Sequence, residues 1–207
     1  MPNKVNVSRC IYIDLSNIYG GLCKLFDVGV YIDFVTLMPL LDKEFDGINQ
    51  FKVYGAYMGQ KQVAKHGADF VRAQNEFVSS AIQDGVYFGK GHISKDQKEK
   101  GVDMRLGVDM VNDAHKKTYT DFILFSGDAD FQYPVDIIKK MGKSFHYCGF
   151  ANRYHPYFAW QANIKLILDY HKMFVNSINK SNKPPDDAVI IDLYGHQDVK
   201  TKSINNK

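Results

Sequence analysis

The sequence predicts an α/β fold in which a central, mostly parallel sheet lies between two layers of helices. Nearly continuous apolar runs of β-forming residues recur along the chain, as at 10–13 (CIYI) and 122–125 (FILF). Such runs are typical of strands buried on both faces. Segments with apolar residues at helical spacing alternate with these runs, and this alternation indicates a parallel sheet covered on both sides.

Composition places the chain among ordinary globular proteins. Its 207 residues suit one domain with an extension, and 45% are hydrophobic while 24% are charged. The net charge of +3 neither requires nor excludes a nucleic-acid partner. The sparse cysteines (Cys10, Cys23 and Cys148) form no CxxC pair, which favours free thiols in a reducing cytoplasm. We expect no signal peptide, because the first nine residues are polar and lack an apolar stretch. We expect no membrane partner, because no run of 18 apolar residues exists.

The first half of the chain alternates strand and helix signals. The first strand ends at Asp14, and a polar turn with glycines follows it at 16–21 (SNIYGG), where a helix could start. The elements predicted here are a strand at 10–13, a helix at 31–45, a strand at 51–58, a helix at 61–83 and a strand at 86–88.

The second half continues the alternation after a polar, lysine-rich stretch at 89–100 (GKGHISKDQKEK), which we predict to be a flexible loop. Pro134 suits the first turn of a helix that stops at Gly142. The elements predicted here are a helix at 102–115, a strand at 122–125, the helix from Pro134 to about Met141, a strand at 144–150 and a helix at 157–175. Residues 1–175 are then the domain, and 176–207 a polar extension, flexible apart from one short strand at 189–191.

Acidic residues interrupt this pattern where the strands end. Asp14 follows the first strand, Asp128 and Asp130 follow the fourth, and Asp103 opens the helix before the fourth. Ligands of open α/β sheets bind beyond the carboxyl ends of the strands, so we expect these side chains to meet at one edge. Clustered carboxylates favour Mg²⁺ or Mn²⁺, and thus phosphoryl chemistry in which a metal-activated water attacks phosphorus.

Each of these residues also has a purely structural interpretation. Asp14 could be a helix N-cap, and Asp103 could favour a helix start through the macrodipole. Asp128 and Asp130 bracket one small residue after an apolar strand, which is costly unless they are paired or bind a metal. Asn17 could orient a ligand or cap a turn.

Three motifs in order resemble the NYN domain, the LabA-like branch of the PIN-like nuclease superfamily. They are IDLSN at 13–17, KGVDMRLGVD at 100–109 and SGDADF at 126–131, and the resemblance covers about residues 8–175. It implies a three-layer α/β/α fold and metal-dependent endonuclease activity, usually on RNA.

The resemblance also implies roles for individual residues. The metal-site and catalytic acids would be Asp14, Asp103, Asp128 and Asp130, and the supporting residues Asn17, Asp109 and Ser126. Asp109 lies six residues beyond Asp103, so it faces another side of the helix as a supporting or solvated acid. The family often has a further acid in its middle region, for which Asp69 and Glu76 are the candidates, although both could be ordinary helix-surface acids.

Positive charge is concentrated next to Asp103, as contact with a phosphate backbone requires. Arg153 stands among aromatic residues after the fifth strand, and aromatic rings beside arginine suit unpaired bases of single-stranded RNA. The predicted nucleic-acid contacts are Lys90, Lys95, Lys98, Lys100, Arg105 and Arg153. Alternatively, the lysines only keep a loop soluble and the aromatic residues pack.

The leading hypothesis is therefore a Mg²⁺- or Mn²⁺-dependent ribonuclease acting on single-stranded RNA. A second hypothesis is a module that keeps the fold but binds RNA or a protein without cleavage. A third, a haloacid-dehalogenase-like phosphatase, would need Asp-x-Asp after the first strand, where the chain has Asp14-Leu15-Ser16. The sequence leaves a homo-oligomer open.

Overall fold

The computed structural model describes residues 7–25, 30–83, 85–95, 98–172, 183–196 and 201–203. Its strands are β1 (Arg9–Asp14), β2 (Val30–Ile32), β3 (Gln50–Gly55), β4 (Tyr87–Lys90), β5 (His92–Ile93), β6 (Glu99–Lys100), β7 (Asp121–Phe125), β8 (Ser144–Phe150), β9 (Lys165–Asp169), β10 (Val189–Asp192) and β11 (Thr201–Ser203). Its helices are α1 (Leu15–Leu25), α2 (Phe34–Glu44), α3 (Gln60–His66), α4 (Ala68–Ser80), α5 (Val102–His115), α6 (Gln132–Lys140) and α7 (Pro156–Gln161), with 3₁₀ turns at Ala129–Phe131 and Ala151–Arg153.

Seven strands form the central sheet in the order β10-β9-β8-β7-β1-β3-β4. Every neighbouring pair is parallel. Two further pairs, β5 with β6 and β2 with β11, are antiparallel and stand apart from the central sheet. Helices cover both faces, which confirms the predicted three-layer α/β/α architecture.

The alternation of side chains along β1 shows how the layers are built. Ile11 and Ile13 belong to the core under α1, α2 and α4, whereas Cys10 and Tyr12 belong to the core under α5, α6 and α7. Successive residues of a strand point to opposite faces, so one short strand supplies both cores. All four side chains are completely buried.

Several elements lie where the sequence predicted them. Helix α5 and strand β8 have the predicted bounds, and all five residues of β7 are buried. Pro134 lies in the first turn of α6, and Gly142 follows that helix with a φ of +74°. A methyl group on Gly107 would come within 3.0 Å of Pro134 Cγ, so the missing side chain lets α5 and α6 approach closely.

The single helix predicted at 61–83 is two helices. Gly67 separates α3 from α4 and has a φ of +86°, a backbone conformation that side chains other than glycine rarely adopt. Its N–H donates to the carbonyl of Val63 over 2.8 Å, which ends α3.

The helix predicted at 157–175 ends at Gln161 and is wrong for 162–172, while 173–175 lie outside the described residues. Asn163 N–H donates to Phe145 O, and Asn163 Oδ1 accepts from Phe145 N–H. These two hydrogen bonds align the chain after α7 beside β8. Lys165–Asp169 then form β9, fully buried between β8 and β10. A short apolar run has no periodicity that separates a buried strand from a buried helix.

The lysine-rich stretch at 89–100 is also not a flexible loop throughout. Strand β4 extends to Lys90, and β5 and β6 form a short hairpin in which Ser94 N–H donates to Lys98 O over 2.8 Å.

Strand β10, in the polar end of the chain, joins the central sheet and includes the strand predicted at 189–191. Other parts of the predicted extension, residues 176–182, 197–200 and 204–207, lie outside the described residues. In the described ranges no helix combines the length and apolarity needed to cross a bilayer.

Candidate active site

Asp14 ends β1 and is almost completely buried, at 2% exposure. Its Oδ1 accepts hydrogen bonds from Ser16 Oγ (2.9 Å) and from Asn17 N–H (3.1 Å), and its Oδ2 accepts from Ser126 Oγ (3.0 Å). Burial raises the pKa of Asp14, and these hydrogen bonds oppose the rise. Four lone pairs are available on a carboxylate, so one position on Oδ2 stays open to a further ligand.

The segment after β7 is held beside Asp14 by hydrogen bonds between the two strand ends. Ser126 Oγ accepts from Asp128 N–H over 3.1 Å, and Asn17 Oδ1 accepts from Gly127 N–H over 3.0 Å. Asp128 Oδ1 then caps the following 3₁₀ turn by accepting from Asp130 N–H over 3.0 Å. Asp128 is half-buried and Asp130 is exposed, so the carboxylates of this segment face outward from the edge.

Asp103 lies in the first turn of α5, close enough to these residues for their charges to shift its pKa. The pKa of Asp103 is raised to about 6, mainly by partial burial and then by the charges of Asp14, Asp128 and Asp130. Carboxylates from three separate segments therefore share one electrostatic environment.

Glu99 joins this group, and the sequence reasoning missed it. Its Oε2 accepts from Ala56 N–H over 3.0 Å, and its pKa is raised to about 7, mainly by burial and further by the charges of Asp14 and Asp103. Half-buried Glu99 in β6 stands between exposed Lys98 and Lys100. All three residues are charged, so no apolar residue marks the buried side of this segment in the sequence.

We call the group formed by Asp14, Glu99, Asp103, Asp128 and Asp130 the acidic edge. Within the described ranges none of these carboxylates forms a salt bridge. Crowded carboxylates without a cationic partner repel one another, and a divalent cation relieves that repulsion.

The donor set fits Mg²⁺ or Mn²⁺, because it consists of carboxylate oxygens with several positions free. In the part of the chain that the structure describes, no three acidic, histidine or cysteine side chains are grouped closely enough to hold an ion by themselves. Protein-bound Mg²⁺ usually takes one or two carboxylates and completes its shell with waters and substrate phosphate oxygens. The acidic edge matches that mode of binding rather than a closed protein cage.

The other predicted acids lie elsewhere. Asp109 is half-buried on α5, and its Oδ2 accepts from Tyr54 OH over 3.0 Å. Asp69 is exposed on α4 and pairs with Arg72 over 2.8 Å, and Glu76 is exposed on the same helix. The structure brings Glu99, which was not a candidate, to the acidic edge instead of Asp69 or Glu76.

The predicted cationic residues of the hairpin region are all exposed. Arg105 Nη1 donates to Lys90 O over 2.9 Å, which links α5 to the end of β4 beside the hairpin. The exposed set is Lys90, Lys95, Lys98, Lys100 and Arg105. Positive charge therefore flanks the acidic edge next to Glu99 and Asp103.

Arg153 is half-buried and takes part in packing at the other side of the acidic edge. A methyl group on Gly127 would come within 1.9 Å of the Arg153 carbonyl oxygen, and one on Gly20 within 2.8 Å of its Nη2. Because Gly127 has no side chain, the chain after β8 can lie against the segment that carries Asp128. Because Gly20 has none, the Arg153 side chain can lie against α1.

Asp103 and Asp130 also stand at one end of a groove of about 800 Å³ between α5 and α6. Apolar side chains line most of it, and Met104 and Tyr133 are more than 70% exposed there, at 74% and 73%.

The fold has a counterpart among solved structures. A crystal structure of a protein of unknown function from Vibrio parahaemolyticus RIMD 2210633 superposes with a TM-score of 0.53 at 18% sequence identity. The match covers 79% of this chain and 93% of that one, and it supports the fold. No curated protein matches the chain.

The family model of the NYN domain matches residues 9–176. These residues include β1 with Asp14, the hairpin with Glu99, the start of α5 with Asp103 and the segment after β7. Because the match covers most of the chain, the protein belongs to the NYN domain family, which is part of the PIN-like nuclease superfamily.

Proposed function

We propose that the protein is a metal-dependent endonuclease that hydrolyses phosphodiester bonds of single-stranded RNA, and that it belongs to the LabA-like branch of its family. The observation that carries this proposal is that the charges of Asp14, Asp128 and Asp130 raise the pKa of Asp103. These four acids come from three separate segments of the chain. Such coupling of uncompensated carboxylates at the carboxyl edge of an α/β sheet is typical of a catalytic site.

In this proposal Asp14, Asp103, Asp128 and Asp130 form the site for Mg²⁺ or Mn²⁺, one or two of them as direct ligands and the others through water. When bound, the ion supplies positive charge against the phosphate and makes water more acidic. Asp103 and Asp130 are exposed and accept no hydrogen bond among the described contacts, so their oxygens are available for an ion. Ser126 and Asn17 position the acids through the hydrogen bonds between the ends of β1 and β7.

Glu99 has the properties of a general base in the same reaction. Ala56 N–H and the Ser16 side chain hold the carboxylate in place by hydrogen bonds, and we propose that it takes a proton from the attacking water. A general base works best when its pKa lies near the working pH, and the pKa of Glu99 is about 7.

The exposed cations beside the hairpin support a nucleic-acid substrate, because a phosphate backbone that reaches the acidic edge needs positive charge along its path. Arg153 extends this path on the side of β8. Free thiols at Cys10, Cys23 and Cys148 fit the proposed cytoplasmic location.

A second function is a binding module that holds RNA or a protein without cleavage. The observation that favours it is the lack, among the described residues, of any three side chains grouped as direct ligands of one ion.

The test is cleavage of labelled single-stranded RNA and DNA with Mg²⁺ or Mn²⁺. We expect Asp128→Asn to lower the rate at least about 100-fold. The fold should persist, because the amide oxygen can still accept from Asp130 N–H. Asp69→Asn is the matched control and should cleave like the natural protein, since Asp69 pairs with Arg72 on the surface.

Undiminished cleavage by Asp128→Asn, or in excess chelator, contradicts the nuclease proposal. RNA binding without cleavage under any of these metals favours the binding module instead.

A further inference from the structure

A second cavity, of about 220 Å³, opens beside Glu99 and Ser16 on the side of the acidic edge that faces α1 and α4. Its volume is several times the roughly 30 Å³ that a water molecule occupies in the liquid. The lining residues are Ser16, Tyr19, Gly20, Met58, Gln62, Phe70, Gln74, Ile93 and Glu99. The space is therefore large enough for a small organic group next to the proposed reaction centre.

Gln62 gives this cavity an unused hydrogen-bonding group. The side chain is 97% buried, with 3% exposure, and its Oε1 accepts from Gly59 N–H over 3.0 Å. That bond fixes the orientation of the amide, so Nε2 is the remaining polar atom. Nε2 is buried and has no hydrogen-bond partner within the described structure. A buried amide donor without a partner is costly, which indicates that a ligand is missing from its environment.

The chemistry of the walls restricts the ligand. Among the residues that the structure describes, no lysine or arginine lines the cavity, and Glu99 stands at its border, so an anion is disfavoured. The N–H donors of Gln62 also disfavour a cation. Beside the uncharged polar Ser16 and Gln74, apolar and aromatic side chains line the cavity, with Phe70 and Tyr19 in edge-to-face contact at 5.7 Å between ring centroids. The suitable ligand is an uncharged, flat group that carries a hydrogen-bond acceptor.

We propose that this cavity receives an unpaired nucleobase of the nucleic acid whose backbone crosses the acidic edge. Gln62 Nε2 donates to a carbonyl oxygen or ring nitrogen on the edge of the base, and Phe70 and Tyr19 pack against its surface. Recognition of splayed-out bases by aromatic side chains and amide donors is the general means of reading single-stranded RNA. The inference rests on the proposed function, because it takes the substrate of that site to be a nucleic acid.

The experiment measures binding of the full chain, carrying Asp128→Asn to prevent cleavage, to RNA oligonucleotides that each lack one base. We expect one position, at a fixed distance from the bond that the natural protein cleaves, where loss of the base weakens binding about tenfold. Gln62→Glu keeps the acceptor for Gly59 N–H but loses the donor, so this variant should bind the intact and the abasic oligonucleotide equally. Gln60→Glu introduces the same charge two residues away on the exposed surface of α3 and should retain the difference.

A second variant, Met58→Trp, fills the cavity without removing the amide and should also abolish the difference. Met58 keeps its backbone position through Asn75, which bonds both its N–H and its carbonyl, and circular dichroism checks the fold.

The two proposals fail in different ways. Cleavage by the natural protein with no sensitive base position, or with a sensitive position that Gln62→Glu retains, overturns the nucleobase cavity and leaves the nuclease intact. A sensitive position that depends on Gln62, without any cleavage, supports the cavity while the nuclease proposal fails.

Discussion

Ser126 Oγ donates a hydrogen bond to Asp14 Oδ2 over 3.0 Å, although the two residues are 112 positions apart in the chain. The bond ties the ends of β1 and β7 together and satisfies one oxygen of a carboxylate that is almost completely buried.

Ser126→Ala should lower the free energy of unfolding by about 1.5–3 kcal/mol, because it removes a hydrogen bond to a buried charged group. It also removes the acceptor for Asp128 N–H. Urea unfolding at neutral pH measures the loss. Ser80→Ala, which removes a hydroxyl bonded to the carbonyl of Phe77 within α4, is the control and should stay within about 0.5 kcal/mol. Equal stabilities of the two variants would show that Asp14 does not need Ser126.

Glu99→Gln should change how stability depends on pH in the absence of divalent ions. The pKa of Glu99 in the folded protein is about 7, above its ordinary value of 4.5. The folded state thus holds a proton that the unfolded chain releases, and the stability of the natural protein falls as the pH rises from about 4.5 to 7.

The Glu99→Gln variant has no charge to bury, so it escapes that loss. Above pH 7 we expect it to be more stable than the natural protein by on the order of 1–2 kcal/mol, allowing for partial screening by solvent. Below about pH 4 the two curves should meet. Chemical unfolding across this range tests the difference, and Glu76→Gln on the exposed face of α4 is the control. Parallel curves at all pH values would contradict the burial of an ionisable group at position 99.

Gly127→Ala should destabilise the protein by about 1–3 kcal/mol, since its methyl group would meet the Arg153 backbone and force the segment of Asp128 to move. Gly59→Ala is a suitable control, because the nearest atom to its methyl group would be Gln62 Oε1 at an ordinary 3.6 Å. Thermal unfolding compares the two. A larger effect at Gly59 than at Gly127 would be inconsistent with the described packing.

Lys98→Glu with Lys100→Glu should weaken RNA binding and make it less dependent on salt. Each lost phosphate contact lowers the slope of log affinity against log salt by about 0.7 for a single strand. Lys116→Glu with Lys140→Glu makes the same change in charge near the C-terminal ends of α5 and α6, away from the acidic edge, and should keep the slope. Binding titrations at several salt concentrations give the slopes, and equal losses in both double variants would mean that net charge alone attracts the RNA.

The central sheet and much of the acidic edge could be predicted from the sequence because their signals are local. Residues 122–125 are continuously apolar and the polar SGDAD follows at once, so both the strand and the position of Asp128 are defined by the pattern. Helix α5 carries its apolar residues at helical spacing, which placed Asp103 in its first turn.

Glu99 and β9 were not predictable in the same way. Glu99 lies in a run of charges typical of a solvated loop, and only the pairing of β6 with β5 turns it toward Asp14. Strand β9 is defined by its pairing with β8 and β10, and its apolar run of only three residues, 166–168, is too short to show a periodicity.

Strand β1 pairs with β7, with Arg9 opposite Asp121. Because β7 lies far along the chain from β1, the ribosome synthesises β7 much later than β1. A growing chain exposes Asp14 early, while Ser126 and Asp128 have yet to be translated. Asp14 therefore lacks the Ser126 hydrogen bond, and Asp128 beside it, until well over half of the 207-residue polypeptide has been translated.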